Sequence, residues 1–113
     1  MKVDNNGSIF FDDVSASEIA DTYGTPTYVY EENRIRENFR RARDAFRKRY
    51  EDFRFFYAIK ACNNLAVARI LKQEGAGIDA ASVNEILLAQ KIGLGGEDIM
   101  FSGNYLSDND IKQ

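Results

Sequence analysis

The second half of the chain repeats a regular pattern of short apolar runs and longer amphipathic segments. Residues 53–60 (FRFFYAIK), 77–82 (GIDAAS) and 97–103 (EDIMFSG) predict strands, because they are brief apolar runs bounded by turn residues. Between them, residues 64–75 and 82–93 carry apolar side chains three and four positions apart, which predicts helices. This order of strands and helices predicts an α/β fold with a parallel sheet.

Capping residues mark where several helices begin and end. Ser82 is followed three residues later by Glu85, and Ser15 is followed by Glu18, so each pair fits a capping box at a helix start. Gly24 is placed to end the first short helix. Asn63 or Asn64 caps the helix that ends at Gly75, and a last helix begins at Ser107.

The first half of the chain is less regular. Residues 8–11 (SIFF) predict a short strand, and residues 25–30 (TPTYVY) predict another because β-branched and aromatic residues alternate there. From Glu31 to about Tyr50, apolar residues recur at helical spacing. The opposite face of this helix is basic, with eight Arg or Lys and two acidic residues between positions 34 and 49.

Composition narrows the classes of function. The 113 residues carry a net charge of −3, which gives no general attraction for nucleic acid. The single cysteine, Cys62, cannot form an internal disulfide, and no apolar run approaches the roughly 20 residues that span a bilayer. We therefore expect a cytoplasmic protein without membrane partners. Because the chain has no histidine, it cannot by itself form a Ser-His-Asp triad or a zinc site with histidine ligands.

Periodicity alone leaves two architectures open. Three βα units with short loops fit a (β/α)8 TIM barrel and a doubly wound sheet equally well. A closed barrel needs about 250 residues, and the chain ends just after a new helix begins. We expect the N-terminal part of a barrel from a longer protein, although a small open sheet remains an alternative.

Lys60 is the residue whose position most clearly suggests a role in catalysis. It ends the apolar run FFYAIK, and the C-terminal ends of parallel strands are where α/β proteins assemble active sites. An amine in a partly desolvated site can form a Schiff base with an aldehyde. A lysine at a strand end also commonly serves only to solvate the chain. Asp79, at the corresponding end of the next strand, favours the chemical role, although it would also suit a turn or a helix cap.

The run FYAIKACNNLAVARILKQEGAGIDAASVNEILLAQKIGLGGEDIMFSG resembles the pyridoxal-phosphate-dependent decarboxylases with an alanine-racemase-like barrel. The resemblance implies that Lys60 holds pyridoxal 5'-phosphate as a Schiff base, with Asp79 near it and Glu85 as a further candidate. It also implies a homodimer that acts on a small amino acid. The family's ring-stacking and phosphate-binding residues would lie beyond Gln113, so we expect the isolated chain to be inactive.

The resemblance also suggests a substrate and a division of the chain. FSG at 101–103 is more similar to the enzymes that decarboxylate meso-2,6-diaminopimelate to L-lysine than to ornithine decarboxylases. Ornithine, arginine and carboxynorspermidine decarboxylases, a racemase and a non-catalytic pyridoxal-phosphate-binding relative remain alternatives. Residues 1–25 would hold a strand of the family's β-domain and a short helix, and residues 26–113 would be the first part of the barrel.

Three other features have simpler interpretations. The basic helix at 31–50 lacks aromatic residues on its charged face, so we expect a solvated or interface helix and no nucleic-acid site. The glycines of GLGG at 93–96 precede a strand and lack the spacing of a phosphate-binding loop. Cys62 has no charged partner nearby in sequence, and a small packing residue is the expected role.

Overall fold

A computed structural model describes residues 1–112. They divide into two compact units, one covering Met1–Ile35 and the other beginning at Arg36. In the first unit three short antiparallel strands, β1 (Lys2–Val3), β2 (Ile9–Phe11) and β3 (Val14–Ser15), form a sheet in that order. Helix α1 (Ala16–Tyr23) follows directly from β3.

The predicted ends of α1 are confirmed. The Ser15 hydroxyl accepts a hydrogen bond from the backbone N–H of Glu18 at 3.1 Å, which satisfies one of the free donors at the helix start. Gly24 ends the helix with a φ of 80°, a conformation that glycine adopts without strain. The sequence therefore determined both boundaries of this helix.

The strand predicted over residues 25–30 was wrong. This segment begins with a bend at Thr25 and Pro26 and forms no strand, since the sheet of the first unit consists of β1, β2 and β3 within the described residues. Tyr28 is 93% exposed, so the alternating aromatic residues do not bury one face against a core. A strand needs a neighbouring strand to which it can hydrogen-bond. The strand propensity of these residues says nothing about whether such a neighbour is available.

Helix α2 (Glu32–Arg47) occupies the predicted basic segment. In the second unit its apolar side contacts the chain that leads into the parallel sheet: Phe46 lies 5.2 Å from Phe55 and 5.7 Å from Phe53 between ring centroids, and Phe39 lies 5.8 Å from Phe55. Such edge-to-face and tilted contacts are favourable for aromatic rings. No helix within residues 1–112 has the length and apolar character needed to cross a bilayer.

Two arginines of α2 are held by the residues that end the next helix. Glu74 accepts hydrogen bonds from Arg40 Nε at 2.7 Å and from Arg36 Nη1 at 2.9 Å, and Arg36 Nη2 also donates to Gln73 Oε1. These hydrogen bonds, from Arg40 first and then Arg36, lower the pKa of Glu74 to about 2. Part of the basic face of α2 therefore forms hydrogen bonds within the second unit and does not face only solvent.

The second unit is an α/β arrangement with parallel strands in sequential order, as the pattern predicted. Its sheet contains β4 (Phe56–Ala58), β5 (Gly77–Ala80) and β6 (Ile99–Phe101), with β5 in the centre. The helices that follow these strands are also close to their predicted positions, namely α3 (Leu65–Gln73), α4 (Val83–Lys91) and α5 (Asp108–Lys112).

The core lies between the sheet and the helices α3 and α4. Its buried members are Ile59, Ala68, Ile78, Ala80, Ala89, Ile92 and Leu94, and Tyr57 and Ile99 pack against them. Tyr57 and Ile99 are the register partners of Ile78, so these three side chains share the core face of the sheet. Because successive side chains point to opposite faces, Ala58, Asp79 and Met100 lie on the other face.

The strand that precedes Lys60 is shorter than predicted. It pairs only over Phe56–Ala58, and the chain then turns into a one-turn 3₁₀ helix, Ile59–Ala61. Ile59 is fully buried in the core. The prediction that the strand extends through Lys60 was therefore wrong, and the strand ends where Ile59 enters the core.

Candidate active site

Lys60 is held in a turn at the carboxyl end of β4. The turn is fixed on one side by Ile59, which is fully buried, and on the other by a hydrogen bond of 3.0 Å from the Tyr57 hydroxyl to the Cys62 carbonyl oxygen. Between these two anchors Lys60 is exposed. The backbone of the turn is therefore restrained while the lysine amine stays accessible.

Asp79 lies at the same end of the sheet, on the central strand. Its backbone is in register with Ala58 of β4, two residues before Lys60. The carboxylate is half-buried and accepts a hydrogen bond from the Ser102 hydroxyl. No ion pair joins Lys60 to Asp79 in the part of the chain that the structure describes. The structure thus places the two predicted residues at one edge of the sheet, Asp79 on β5 and Lys60 in the turn that follows the neighbouring strand β4.

Glu85 performs a structural task at the start of α4. Its carboxylate accepts a hydrogen bond of 2.6 Å from the backbone N–H of Ala81, and the Ser82 hydroxyl accepts one of 3.3 Å from the Glu85 N–H. The predicted helix cap is confirmed, with the glutamate reaching one residue further back than in the usual capping box. Any contact of Glu85 with a cofactor remains a prediction.

Ser102 is the residue at this edge that the sequence did not single out. It follows β6 directly, its N–H donates to the Ala80 carbonyl oxygen at 2.8 Å, and its hydroxyl donates to Asp79. The signal for it was present in the motif FSG, which places a hydroxyl at the carboxyl end of a third parallel strand. Lys60 and Asp79 were predicted from the same kind of position on the first two strands.

The residues at this edge fit a cofactor that carries an aldehyde. Lys60 offers an accessible primary amine, and a primary amine is the group that condenses with an aldehyde. Asp79 offers a carboxylate that can face positive charge, and its neighbour in register, Ala58, carries only a methyl side chain. Within residues 1–112, no three His, Cys, Asp or Glu side chains group together in a way that could hold a metal ion.

Comparison with known proteins agrees with this chemistry. Residues 32–113 match the family described as "Pyridoxal-dependent decarboxylase, pyridoxal binding domain". The chain is 46% identical over 112 residues to diaminopimelate decarboxylase from Methanothermobacter thermautotrophicus and 41% identical over 98 residues to that from Aquifex aeolicus. These alignments cover 99% and 87% of this chain. They cover 26% and 22% of the relatives, so the chain spans about a quarter of their length.

A solved structure gives the same result. The crystal structure of diaminopimelate decarboxylase from M. jannaschi superposes with a TM-score of 0.90 at 34% sequence identity. The alignment covers 98% of this chain and 26% of that one. The α/β fold and the resemblance inferred from the motifs around Lys60 and Asp79 are thereby confirmed, and the chain belongs to the family of pyridoxal-dependent decarboxylases.

Proposed function

We propose that the protein containing this chain decarboxylates meso-2,6-diaminopimelate to L-lysine with pyridoxal 5'-phosphate. The observation that carries the proposal is the accessible amine of Lys60, presented by a restrained turn at the carboxyl edge of a parallel sheet. The similarity to diaminopimelate decarboxylases over almost the whole chain supports the choice of substrate. Ornithine, arginine and carboxynorspermidine are the competing substrates.

Lys60 is the catalytic residue of this proposal. Its Nζ would hold the cofactor covalently, and the same nitrogen is the candidate to move a proton at the reacting carbon of the substrate. Pyridoxal phosphate, when bound, supplies an electron sink that stabilises the negative charge left as carbon dioxide departs. The Tyr57–Cys62 hydrogen bond supports this role by limiting how far the backbone around Lys60 can shift.

Asp79 is the cofactor-binding partner of Lys60 in this proposal. Adjacent parallel strands lie about 4.8 Å apart, and Asp79 is in register with the residue two positions before the lysine. A carboxylate at that position would favour a positively charged nitrogen on the bound cofactor. The Ser102 hydroxyl occupies one carboxylate oxygen, Oδ1.

The wider architecture is also proposed. We infer that residues 26–113 form the first part of a (β/α)8 barrel and that residues 1–25 lead into it, with the first strand belonging to a separate β-domain. The sequential parallel order of β4, β5 and β6 supports this, as a barrel requires that order. We further propose that the protein is cytoplasmic and forms a homodimer. Sedimentation of the purified protein would test the dimer.

Reduction with borohydride tests the lysine assignment directly. In protein loaded with pyridoxal phosphate, borohydride reduction followed by peptide mass spectrometry should place the pyridoxyl group on Lys60. The variant Lys60→Ala should lose this label and nearly all turnover. Lys91→Ala, which removes an exposed lysine at the end of α4, should keep both. A label found only on another lysine would overturn the proposal.

Product analysis tests the substrate. The loaded protein should release carbon dioxide and form lysine from meso-2,6-diaminopimelate, with kcat/KM at least tenfold above that for ornithine, arginine or carboxynorspermidine. Equal or better turnover of one of these three would keep the chemistry and correct the substrate. Cofactor binding at Lys60 without turnover of any of the four would identify a non-catalytic relative.

A further inference from the structure

We propose that Ser102 is a positioning residue that holds the Asp79 carboxylate in the orientation required by the bound cofactor. The inference rests on the proposed function of Lys60 and Asp79 and assigns a role to a third residue. Its basis is the hydrogen bond from the Ser102 hydroxyl to Asp79 Oδ1, at the carboxyl edge of the parallel sheet.

The backbone of Ser102 is fixed independently of its side chain. Its N–H donates to the Ala80 carbonyl oxygen at 2.8 Å, which extends the pairing of β5 and β6 by one residue. The following residue is closely packed: a Cβ on Gly103 would lie 2.6 Å from the Phe101 ring and 3.0 Å from the Ala81 carbonyl oxygen. The segment after β6 therefore lies against the segment after β5, and the hydroxyl reaches Asp79 from a fixed point.

The hydroxyl itself does little for the fold. Ser102 is exposed and its side chain lies outside the buried core, so the hydroxyl contributes no apolar burial. The Ser102 hydroxyl instead restricts the rotation of the Asp79 carboxylate. It occupies Asp79 Oδ1 and leaves Oδ2 without a partner among residues 1–112. A carboxylate anchored through one oxygen presents the other in a defined direction, and this is the arrangement a positioning residue provides.

The geometry also explains why a hydroxyl suits this position. A hydroxyl can donate to a carboxylate without adding a charge, so the negative charge of Asp79 remains available to the cofactor. A lysine or arginine at position 102 would neutralise it. An alanine would leave the carboxylate free to rotate. Threonine keeps the donor and is the conservative replacement.

The test compares Ser102→Ala with Ser102→Thr and a matched control in the protein loaded with pyridoxal phosphate. Ser107→Ala is the control, because it also removes a serine hydroxyl that donates to an aspartate, here Asp110 at the start of α5. Ser102→Ala should lower kcat about tenfold with KM changed less than threefold, as expected for loss of a hydrogen bond to a charged group. Ser102→Thr should restore kcat to within threefold of the parent, and Ser107→Ala should leave kcat unchanged.

A spectroscopic readout separates positioning from a merely structural role. The pH midpoint of the bound cofactor's absorbance change should fall in Ser102→Ala, because a mobile carboxylate stabilises positive charge on the cofactor less well. It should be unchanged in Ser107→Ala. A midpoint and kcat equal to those of the parent would overturn the inference, as would failure of threonine to rescue.

Failure of this inference is distinguishable from failure of the proposed function. If borohydride labels Lys60 in the parent protein and Ser102→Ala behaves like the parent, only the role of Ser102 is lost. If Lys60 is not labelled in the parent, the proposed function fails and the role of Ser102 fails with it.

Discussion

The hydroxyl of Tyr57 donates a hydrogen bond to the carbonyl oxygen of Cys62 across the turn that carries Lys60, at 3.0 Å. Tyr57 belongs to β4 and packs against the core, whereas Cys62 is the first residue after the 3₁₀ turn. The hydrogen bond therefore connects the rigid sheet to the far side of the turn. It restrains the residue between them without contacting its side chain.

Removing this hydroxyl should loosen the turn. We expect Tyr57→Phe to lower the free energy of unfolding by about 1 kcal/mol, since the Cys62 carbonyl oxygen loses a donor that is partly shielded from water. Urea unfolding measures this change. Tyr28→Phe is the matched control, because Tyr28 is 93% exposed, and its effect should be close to zero. Equal stability of the two variants would contradict the proposed restraint.

Gly77 should tolerate no side chain. A Cβ there would lie 2.6 Å from the Phe56 ring and 2.8 Å from the Asp98 carbonyl oxygen, and a backbone atom cannot move away easily. We expect Gly77→Ala to cost about 1–3 kcal/mol, as overpacked sites do. Gly95→Ala provides the comparison, since a Cβ at that position would meet no atom within 4 Å and its φ is −166°. Thermal unfolding should therefore distinguish the two substitutions.

The hydrogen bonds that Glu74 accepts should make the free energy of unfolding depend on pH in the acidic range. Its pKa falls from the ordinary value of 4.5 to about 2 in the folded chain, because Arg40 and Arg36 donate hydrogen bonds to it. A lowered folded-state pKa contributes stability that is complete above about pH 4.5 and is lost as the pH falls towards 2.

Glu74→Gln should remove that part of the pH dependence and lower stability at pH 7. Chemical unfolding at a series of pH values between 2 and 7 measures both effects. Glu97→Gln, which removes an exposed carboxylate, should leave the slope between pH 4.5 and 2 as it is in the parent. An unaltered slope in Glu74→Gln would show that the arginine contacts do not persist in solution.

Neutralising Asp79 should impair turnover more than binding. We expect Asp79→Asn to reduce kcat by about 10- to 100-fold, because an amide cannot stabilise positive charge on the cofactor as a carboxylate does. Asp52→Asn, an exposed substitution before β4, should have no effect. Steady-state kinetics with meso-2,6-diaminopimelate would show the difference, and a kcat within twofold of the parent would rule out the proposed role.

Local signals in the sequence predicted the helices well and the unpaired segments poorly. Ser15, Asn64 and Ser82 each accept a backbone hydrogen bond at a helix start, and such caps depend only on residues a few positions apart. Residues 25–30 have strand-forming composition, but they pair with no strand in the part of the chain that the structure describes. Whether a neighbouring strand is available depends on the whole fold, and the composition of one segment does not predict it.

The candidate site shows the same division. The placement of Lys60 and Asp79 at one edge of the sheet was predictable from their positions at the ends of apolar runs, because parallel strands bring such ends together, whereas their roles remain predictions. The contact of the Ser102 hydroxyl was not predictable, because it joins residues 23 positions apart. The turn around Lys60 was not either, because it coincides with burial of Ile59 in a core built from residues distant in sequence, such as Ile78.

The central place of β5 gives the two site residues different freedom of movement. Its backbone is paired with β4 on one side and β6 on the other, and Ile78 and Ala80 on it are fully buried. Exchange of its amide hydrogens with deuterium should therefore require opening of the whole sheet, while the amides of the Lys60 turn exchange through smaller fluctuations. The carboxylate would serve as the stationary reference, and adjustment to a ligand would come from the long side chain of Lys60, since the backbone of its turn is tied to β4 by the Tyr57–Cys62 hydrogen bond.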